Sequence, residues 1–317
     1  MLRLLIRRLL TAIPTLLLVA VIVFAMRLII PGGPEAAIAG ENATPEVLAN
    51  IRHQLGLDKP LPIQFWDWLV AVFRGDLGTS TSTHEPVRKI LFERLPATTE
   101  LVLGTIVLAL LVGGAAGVWA AIHRHRADGK ITFALAGFAL SVPDFWLATL
   151  GAGLFGLSLD WVPAVGYTPI TEDLGENIRS VILPVLILTT TTGALICRHI
   201  RSAMSRELVS VHVRTAWALG LRPIRVYLGD AMRASLGPII TYVPLAIAGL
   251  VGAAVVVENV FNIPGLGTAI VQAVDNRDYP TLQGIVFVLA VMVIVLNLLA
   301  DLAHALMDPR ARAGVKS

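Results

Sequence analysis

The amino-acid sequence predicts an all-α fold: a polytopic membrane bundle of about six transmembrane helices, with a small outer helical segment after the first. Three observations carry that expectation. Of 317 residues, 56% are apolar and only 15% charged, whereas a soluble domain carries roughly a quarter charged residues. The apolar residues gather into runs that approach the ~20 residues of helix needed to cross a hydrocarbon layer, where only a helix or a closed barrel satisfies its own backbone. Basic residues, finally, concentrate on one side of those runs.

Taken in order, residues 9–26 are uncharged, with Arg27 near the far end. Arg3, Arg7 and Arg8 before this run, and Ala37-Ile38-Ala39 after it, imitate parts of a secretory signal. The run is too long for a signal core, and Pro31-Gly32-Gly33-Pro34 separates it from that site, so an uncleaved anchor is expected. The following segment, to about Thr98, reads as folded. Thr44-Pro45-Glu46 supplies an N-cap, a first-turn proline and an early acid. Val47, Leu48, Ile51 and Leu55 recur at helical spacing until Gly56; Phe65, Trp66, Leu69 and Phe73 repeat the pattern until Gly75. Such amphipathic helices either lie at the membrane surface, with Trp66 and Trp68 at headgroup depth, or pack against the chain's own spans.

Residues 101–122 form the second uncharged run and contain the pair Gly113 and Gly117, whose spacing permits close helix approach. Residues 131–159 carry only Asp144, directly after Pro143. Residues 181–197 make the shortest run and hold four threonines in succession, Thr189 to Thr192. A span there is required for the flanking segments to face the right way. Residues 234–257 and 282–300 complete the set. Pro14, Pro143, Pro184, Pro238 and Pro244 fall within spans, where each frees a carbonyl that needs another partner.

Charge sets the direction. With the amino terminus inside, sixteen of the 25 Lys and Arg residues are cytoplasmic: Arg3, Arg7 and Arg8; Arg124, Arg126 and Lys130; seven arginines from Arg198 to Arg233; and Arg310, Arg312 and Lys316. Six of the remaining nine occupy one long outer loop, and long loops are largely exempt from the positive-inside rule. A multi-pass protein of a bacterial cytoplasmic membrane, with both termini cytoplasmic, is the reading.

Several chemistries find no support. One cysteine, Cys197, excludes an internal disulfide and a cysteine-based zinc site, and reads as a small core residue. No GxxxxGK[ST] loop is present; Gly129-Lys130 lacks the glycine spacing. His123 and His125 have no cysteine or carboxylate cluster beside them. No serine, histidine and acid are arranged as in a hydrolase. Asp144, and Asp301 with His304, are the ionisable groups within spans; Asp144 is a candidate for the pathway or for a buried hydrogen bond.

Two connecting stretches stand out. Residues 200–232 are arginine-rich and contain Val211-His212-Val213-Arg214-Thr215-Ala216-Trp217-Ala218-Leu219-Gly220-Leu221, a short amphipathic helix ended by Gly220 with Pro223 beyond it. Its apolar positions need cover from lipid or from a docked protein. Residues 259–280 are dense in turn formers, with Phe261, Ile263, Leu266, Ile270 and Val271 between them.

At this point the chain resembles the permease subunits of ATP-binding-cassette importers for dipeptides and oligopeptides. The likeness runs along nearly its whole length. It rests on Leu55-Gly56-Leu57-Asp58-Lys59-Pro60-Leu61, Gly75-Asp76-Leu77-Gly78, Glu93-Arg94-Leu95-Pro96-Ala97-Thr98, Ser141-Val142-Pro143-Asp144-Phe145-Trp146-Leu147, residues 201–221, Phe261-Asn262-Ile263-Pro264-Gly265-Leu266-Gly267, Asn276-Arg277-Asp278-Tyr279-Pro280 and Asp308-Pro309-Arg310. The resemblance implies a first span over 1–30, an outer helical segment over 31–98, a five-helix permease core over 99–307 and a cytoplasmic tail over 308–317. It implies that Arg214, Thr215, Ala216, Trp217, Gly220 and Leu221 form a coupling helix that docks into a cleft of a cytoplasmic ATPase, with Gly220 letting the chain turn closely against it. It further implies that Phe261, Asn262, Ile263, Pro264, Gly265, Leu266 and Gly267 contact an outer substrate-binding protein, and that Pro143 and Asp144 are pathway candidates. Partners are then a second, related permease, the ATPases, the binding protein and a peptide. ATP and magnesium sit on the ATPases and no cofactor on this chain. Val211 and His212 stand where family members commonly carry an acid and a tyrosine. Trp217 and Leu219 replace usually basic positions, giving a more apolar helix. Similar permeases serve dipeptides, longer peptides, glutathione, nickel chelates or haem. A stand-alone secondary carrier and a non-transporting scaffold are the rival classes.

Overall fold

A computed structural model describes residues 2–29, 35, 39, 44–54 and 56–307. Outside it lie Pro31 to Pro34, Ala37, Ile38, Leu55 and the expected tail over 308–317, with Asp308-Pro309-Arg310, Arg312 and Lys316. Among the described residues the regular structure is helical: α1 Leu2–Ile29, α2 Pro45–Gln54, α3 Leu61–Phe73, α4 Val87–Ile122, α5 Ala127–Ala139, α6 Asp144–Gly151, α7 Leu174–Glu207, α8 Val211–Ala218, α9 Met232–Phe261, α10 Leu266–Asp275 and α11 Tyr279–Met307. Segments with wider, π-type hydrogen bonding, Ala152–Ser158 and Arg225–Ala231, continue α6 and lead into α9. Five of these helices are long and apolar enough to cross a membrane, and the bent pair α5–α6 makes a sixth if counted as one span.

The described residues divide into two compact units, one of residues 98–263 with 296–307, the other of residues before 98 with 264–295. In the first, α7 is the central helix, packed by α5, α6 and α9. Asp173 caps it, its Oδ1 accepting from the Gly175 and Glu176 N–H groups at 2.7 and 3.1 Å. Its threonine-rich stretch was the weakest span by hydropathy, yet 67% of its apolar window is buried in protein, against 17–39% for the other long helices. A helix surrounded by protein can carry hydroxyls: Thr189 and Thr192 are buried, and buried Ser180 donates to the Asn177 carbonyl of its own helix at 2.8 Å.

The expected glycine pair works as close packing. A Cβ on Gly113 would stand 2.2 Å from the Gly193 carbonyl oxygen, and one on Gly117 2.7 Å from that of Cys197. Small residues thus let α4 and α7 touch through their backbones. Cys197 is buried with Ala136 and Ala194.

The third expected span is not one continuous helix. It breaks between Ala139 and Asp144, and its halves differ in direction by 90°. Pro143 (ψ 136°) is extended and has no N–H to continue the α5 ladder. Its ring also disfavours helical backbone at Val142.

In the second unit, α1 and α3 share an aromatic cluster. Phe24 lies 5.3 Å from Phe65 and 5.9 Å from Trp68, and Trp68 meets Phe287 edge-on at 5.8 Å. Trp68 therefore packs inward, while Trp66 points outward. Thr44 Oγ1 accepts from the Val47 N–H at 3.4 Å, at the start of α2. α4 begins at Val87, well before the uncharged run, because Val87 and Leu91 pack with Leu266, Ala269 and Ile285.

Candidate functional site

The arginine-rich connection folds as α8, closely framed by α7 and the π-type turn. Val213 and Ala216, three apart on one helical face, are buried against Ala121, Met204, Val226 and Ala231. That face fixes the helix. The opposite one presents Arg214, Thr215 and Trp217, and the flanking apolar residues Val211 and Leu219 are 79% and 73% exposed. Trp217 meets Tyr227 edge-on at 5.6 Å, and Thr215 Oγ1 donates to Val211 O at 3.0 Å. Of the six residues expected in the coupling helix, Ala216 and Leu221 face the core, and Arg214, Thr215, Trp217 and Gly220 are exposed.

The helix closes with a Schellman pattern. Gly220 N–H donates to Trp217 O at 3.0 Å, and Leu221 N–H donates to Ala216 O at 3.2 Å. Gly220 has φ +72°, and a Cβ there would meet nothing within 4 Å. Glycine is thus required by the left-handed backbone rather than by lack of space. Sequence reasoning found the helix and its stop but missed Val213 as an anchor. The i, i+3 spacing of Val213 and Ala216 was the available signal.

The residues of the turn-rich loop separate in the same way. Phe261, Ile263, Gly265, Leu266 and Gly267 are buried, and Asn262 and Pro264 are exposed. Asn262 caps α9 with φ +51°, a left-handed position that asparagine tolerates. Ile263 N–H donates to Glu258 O at 2.8 Å, and Gly166 N–H to Phe261 O at 2.8 Å. Leu266 starts α10 within the cluster of Val87, Leu91 and Ile285. Within residues 261–267 the apolar side chains Phe261, Ile263 and Leu266 are therefore core, and Asn262 and Pro264 are the exposed positions; farther along the loop Gln272, Val274, Asp275, Asn276 and Arg277 are exposed as well.

Asp144 lies in the first turn of α6, just past the break, where an acid suits the positive end of the helix dipole. Thr191 Oγ1 of α7 donates to its Oδ1 at 2.6 Å. This pairing is the hydrogen bond to a neighbouring helix expected for Asp144 as the alternative to a pathway role, and it gives one of the four threonines a partner. Glu258, fully buried, accepts from Thr98 Oγ1 at 2.6 Å.

Near the start of α11, Asp278 forms a clasp that sequence reasoning also missed. Its carboxylate accepts from Ser80 Oγ at 2.5 Å, Thr281 Oγ1 at 2.8 Å, Ser82 Oγ at 3.0 Å and the Thr81 N–H at 3.2 Å. Burial alone would raise its pKa; hydrogen bonds from Ser80, Thr281, Thr81 and Ser82 outweigh that and hold it below the ordinary carboxylate value. Among the described residues, no three His, Cys, Asp or Glu side chains are grouped to hold a metal.

Residues 113–313 match the family described as "Binding-protein-dependent transport system inner membrane component", and residues 1–102 match its N-terminal part. The chain is 37% identical to the "Probable peptide ABC transporter permease protein y4tP" of Sinorhizobium fredii, over 96% of this chain and 98% of that one. It is equally identical to "Glutathione transport system permease protein GsiC" of Salmonella typhimurium, over 98% and 99%. Among solved structures it is similar in fold to a chain of the MetNI methionine ABC transporter in its inward-facing conformation. That likeness has a TM-score of 0.52 at 15% identity and covers 72% of this chain and 97% of the other.

Proposed function

The chain belongs to the family of binding-protein-dependent transport system inner membrane components, and from that premise we propose that it forms half of the translocation pathway of an ATP-driven peptide importer, with both termini cytoplasmic. As a member of that family it is a multi-pass inner membrane permease and not itself an ATPase. The second half comes from a related permease, ATP and magnesium bind the cytoplasmic ATPases, and an outer binding protein delivers substrate. The division into an outer segment over 31–98, a core over 99–307 with its coupling loop over 200–232, and a tail over 308–317 belongs to the same proposal. The placement of basic residues supports the orientation.

The observation that carries the reading is α8: a capped helix seated by Val213 and Ala216, holding Arg214, Trp217 and Leu219 outward. A chain without ATP chemistry needs such a rigid contact to receive an ATPase's motion. Exchanging Leu219→Glu and Trp217→Glu in the co-expressed complex should abolish ATPase co-purification and substrate-stimulated hydrolysis, with the permease still folded. Unchanged hydrolysis would remove α8 from the coupling path.

Two further assignments follow the same logic. Asn262 and Pro264 are the outward positions that would meet the binding protein, so Asn262→Arg should weaken its capture by the purified complex; unaltered capture refutes this. Asp144, beside the break at Pro143, is the pathway candidate. Asp144→Ala should lower peptide uptake in vesicles more than assembly, and equal loss of both makes it structural. The substrate class follows the named relatives, and glutathione, itself a tripeptide, falls within it. Competition between glutathione and labelled di- and oligopeptides would fix the preferred length.

A further inference from the structure

The turn after α4, helix α5 and the end of α7 line an open cavity of about 540 Å³ formed by Arg124, Phe133, Arg198, His199, Arg201, Ser202 and Ser205. Three guanidinium groups face it and no carboxylate does. Arg201 and Arg198 both lie over the Phe133 ring, at 3.7 and 5.6 Å from its centroid, so one aromatic ring attracts two cations. Arg124 is held from the other side by donating to Ser205 O at 3.0 Å, and His199 is stacked on Tyr242 at 3.5 Å. Among the described residues neither Arg198 nor Arg201 has an acidic partner, and Arg201 Nε is buried without a hydrogen bond. Like charges gathered without a counter-ion repel one another. Three guanidinium groups lining one cavity without a carboxylate suit a tetrahedral oxyanion, to which arginine can donate two parallel hydrogen bonds.

We propose that this cavity binds the phosphate of an anionic phospholipid headgroup. Arg198 and Arg201 follow directly on the apolar run of α7, at the depth where headgroups lie. The adjoining helix α5 exposes Ile131, Leu135 and Phe138, an apolar face suited to acyl chains beside a phosphate-binding pocket. Free phosphate shares the chemistry but makes no use of that face. The proposal rests on the orientation given above only in naming the cytoplasmic leaflet as the lipid's source; binding itself is measured without transport.

The full chain, purified with its co-expressed partner subunits, would be titrated with phosphatidylglycerol, phosphatidylcholine and inorganic phosphate. Melting temperature and native mass spectrometry give the readouts. Phosphatidylglycerol should remain bound and raise the melting temperature, and phosphatidylcholine should not. At roughly fivefold per arginine, Arg198→Gln with Arg201→Gln should weaken that binding about 25-fold, while Arg233→Gln, outside the cavity, leaves it unchanged. Ser202→Glu, which keeps the stack but adds a carboxylate to the wall, should abolish binding even if the double variant folds poorly. Equal effects of the two lipids, or binding retained in Ser202→Glu, overturn the proposal. A full shift from phosphate alone, with no gain from the lipid, overturns the lipid assignment.

Discussion

Gly220 tests how α8, the proposed coupling helix, is held. Its φ of +72° lies in the left-handed region, where a residue with a Cβ costs about 1–2 kcal/mol. No steric contribution adds to this, since a Cβ would meet nothing within 4 Å. Unwinding the cap instead would forfeit two hydrogen bonds, Gly220 N–H to Trp217 O and Leu221 N–H to Ala216 O, worth about 1–3 kcal/mol together. Gly220→Ala should therefore cost about 1–2 kcal/mol by either route, a ~5- to 30-fold fall in the population of seated helix. If only the seated helix engages the ATPase, apparent ATPase affinity in reconstituted complexes falls by the same factor. Gly220→Asn, which tolerates this backbone, should stay within a few-fold of wild type, and Gly220→Trp should behave like Ala. Asn as harmful as Ala would refute the conformational reasoning. Trp far worse than Ala would show that a partner surface comes close to this position, which the backbone requirement alone does not predict.

The anchors and the outward residues of α8 should separate experimentally: Val213→Asp buries an unpaired charge and should lose the folded permease from detergent extracts, whereas Leu219→Ser should change melting by no more than about 0.5 kcal/mol and still reduce ATPase capture. Gly113→Ala places a Cβ 2.2 Å from the Gly193 oxygen and should destabilise by about 1–3 kcal/mol through overpacking. Gly137→Ala, also helical but with open space, should be neutral or gain about 0.4–1 kcal/mol; equal losses in thermal melts would contradict the close helix contact. The Asp278 pKa is lower folded than unfolded, where a carboxylate titrates at about 3.9. Its stabilisation is thus present above that value and lost as pH falls through the lower folded one. Wild type should keep the clasp's contribution from neutral pH down to about 4, and Asp278→Asn should melt lower throughout that range; identical melts at pH 7 would show the clasp contributes nothing.

Hydropathy and arginine placement made the membrane class and the number of spans legible, and they misjudged particular helices for definable reasons. A hydropathy window reports suitability for lipid, so it undervalued α7, where Thr189 and Thr192 are buried in protein. It also could not see the 90° break in the third span, because Leu140 to Pro143 are mostly apolar and only the proline marks the turn. It began the second membrane helix late, since Arg88, Lys89, Glu93 and Arg94 fail any apolar test. Yet Val87 and Leu91 recur four apart and face core, while Lys89 pairs with Glu85 and Glu93 along the exposed side. Helical periodicity was present there; average hydrophobicity masked it.

Both motifs expected to meet partners mix two kinds of residue that sequence likeness cannot separate. In α8, Val213 and Ala216 point inward and thereby hold Arg214, Trp217 and Leu219 outward. In the loop, Phe261, Ile263 and Leu266 are buried and leave Asn262 and Pro264 outside. A motif shared across a family records the sum of these demands, because losing an anchor disables the contact as surely as losing the contacting residue. Burial divides them. Changes at the anchors should lower stability and coupling together, and changes at the outward positions should lower coupling alone. The departures from the family pattern at Val211, His212, Trp217 and Leu219 all fall in the outward class, so on the proposed docking role they would bear on which ATPase is accepted and not on the Val213 and Ala216 anchors.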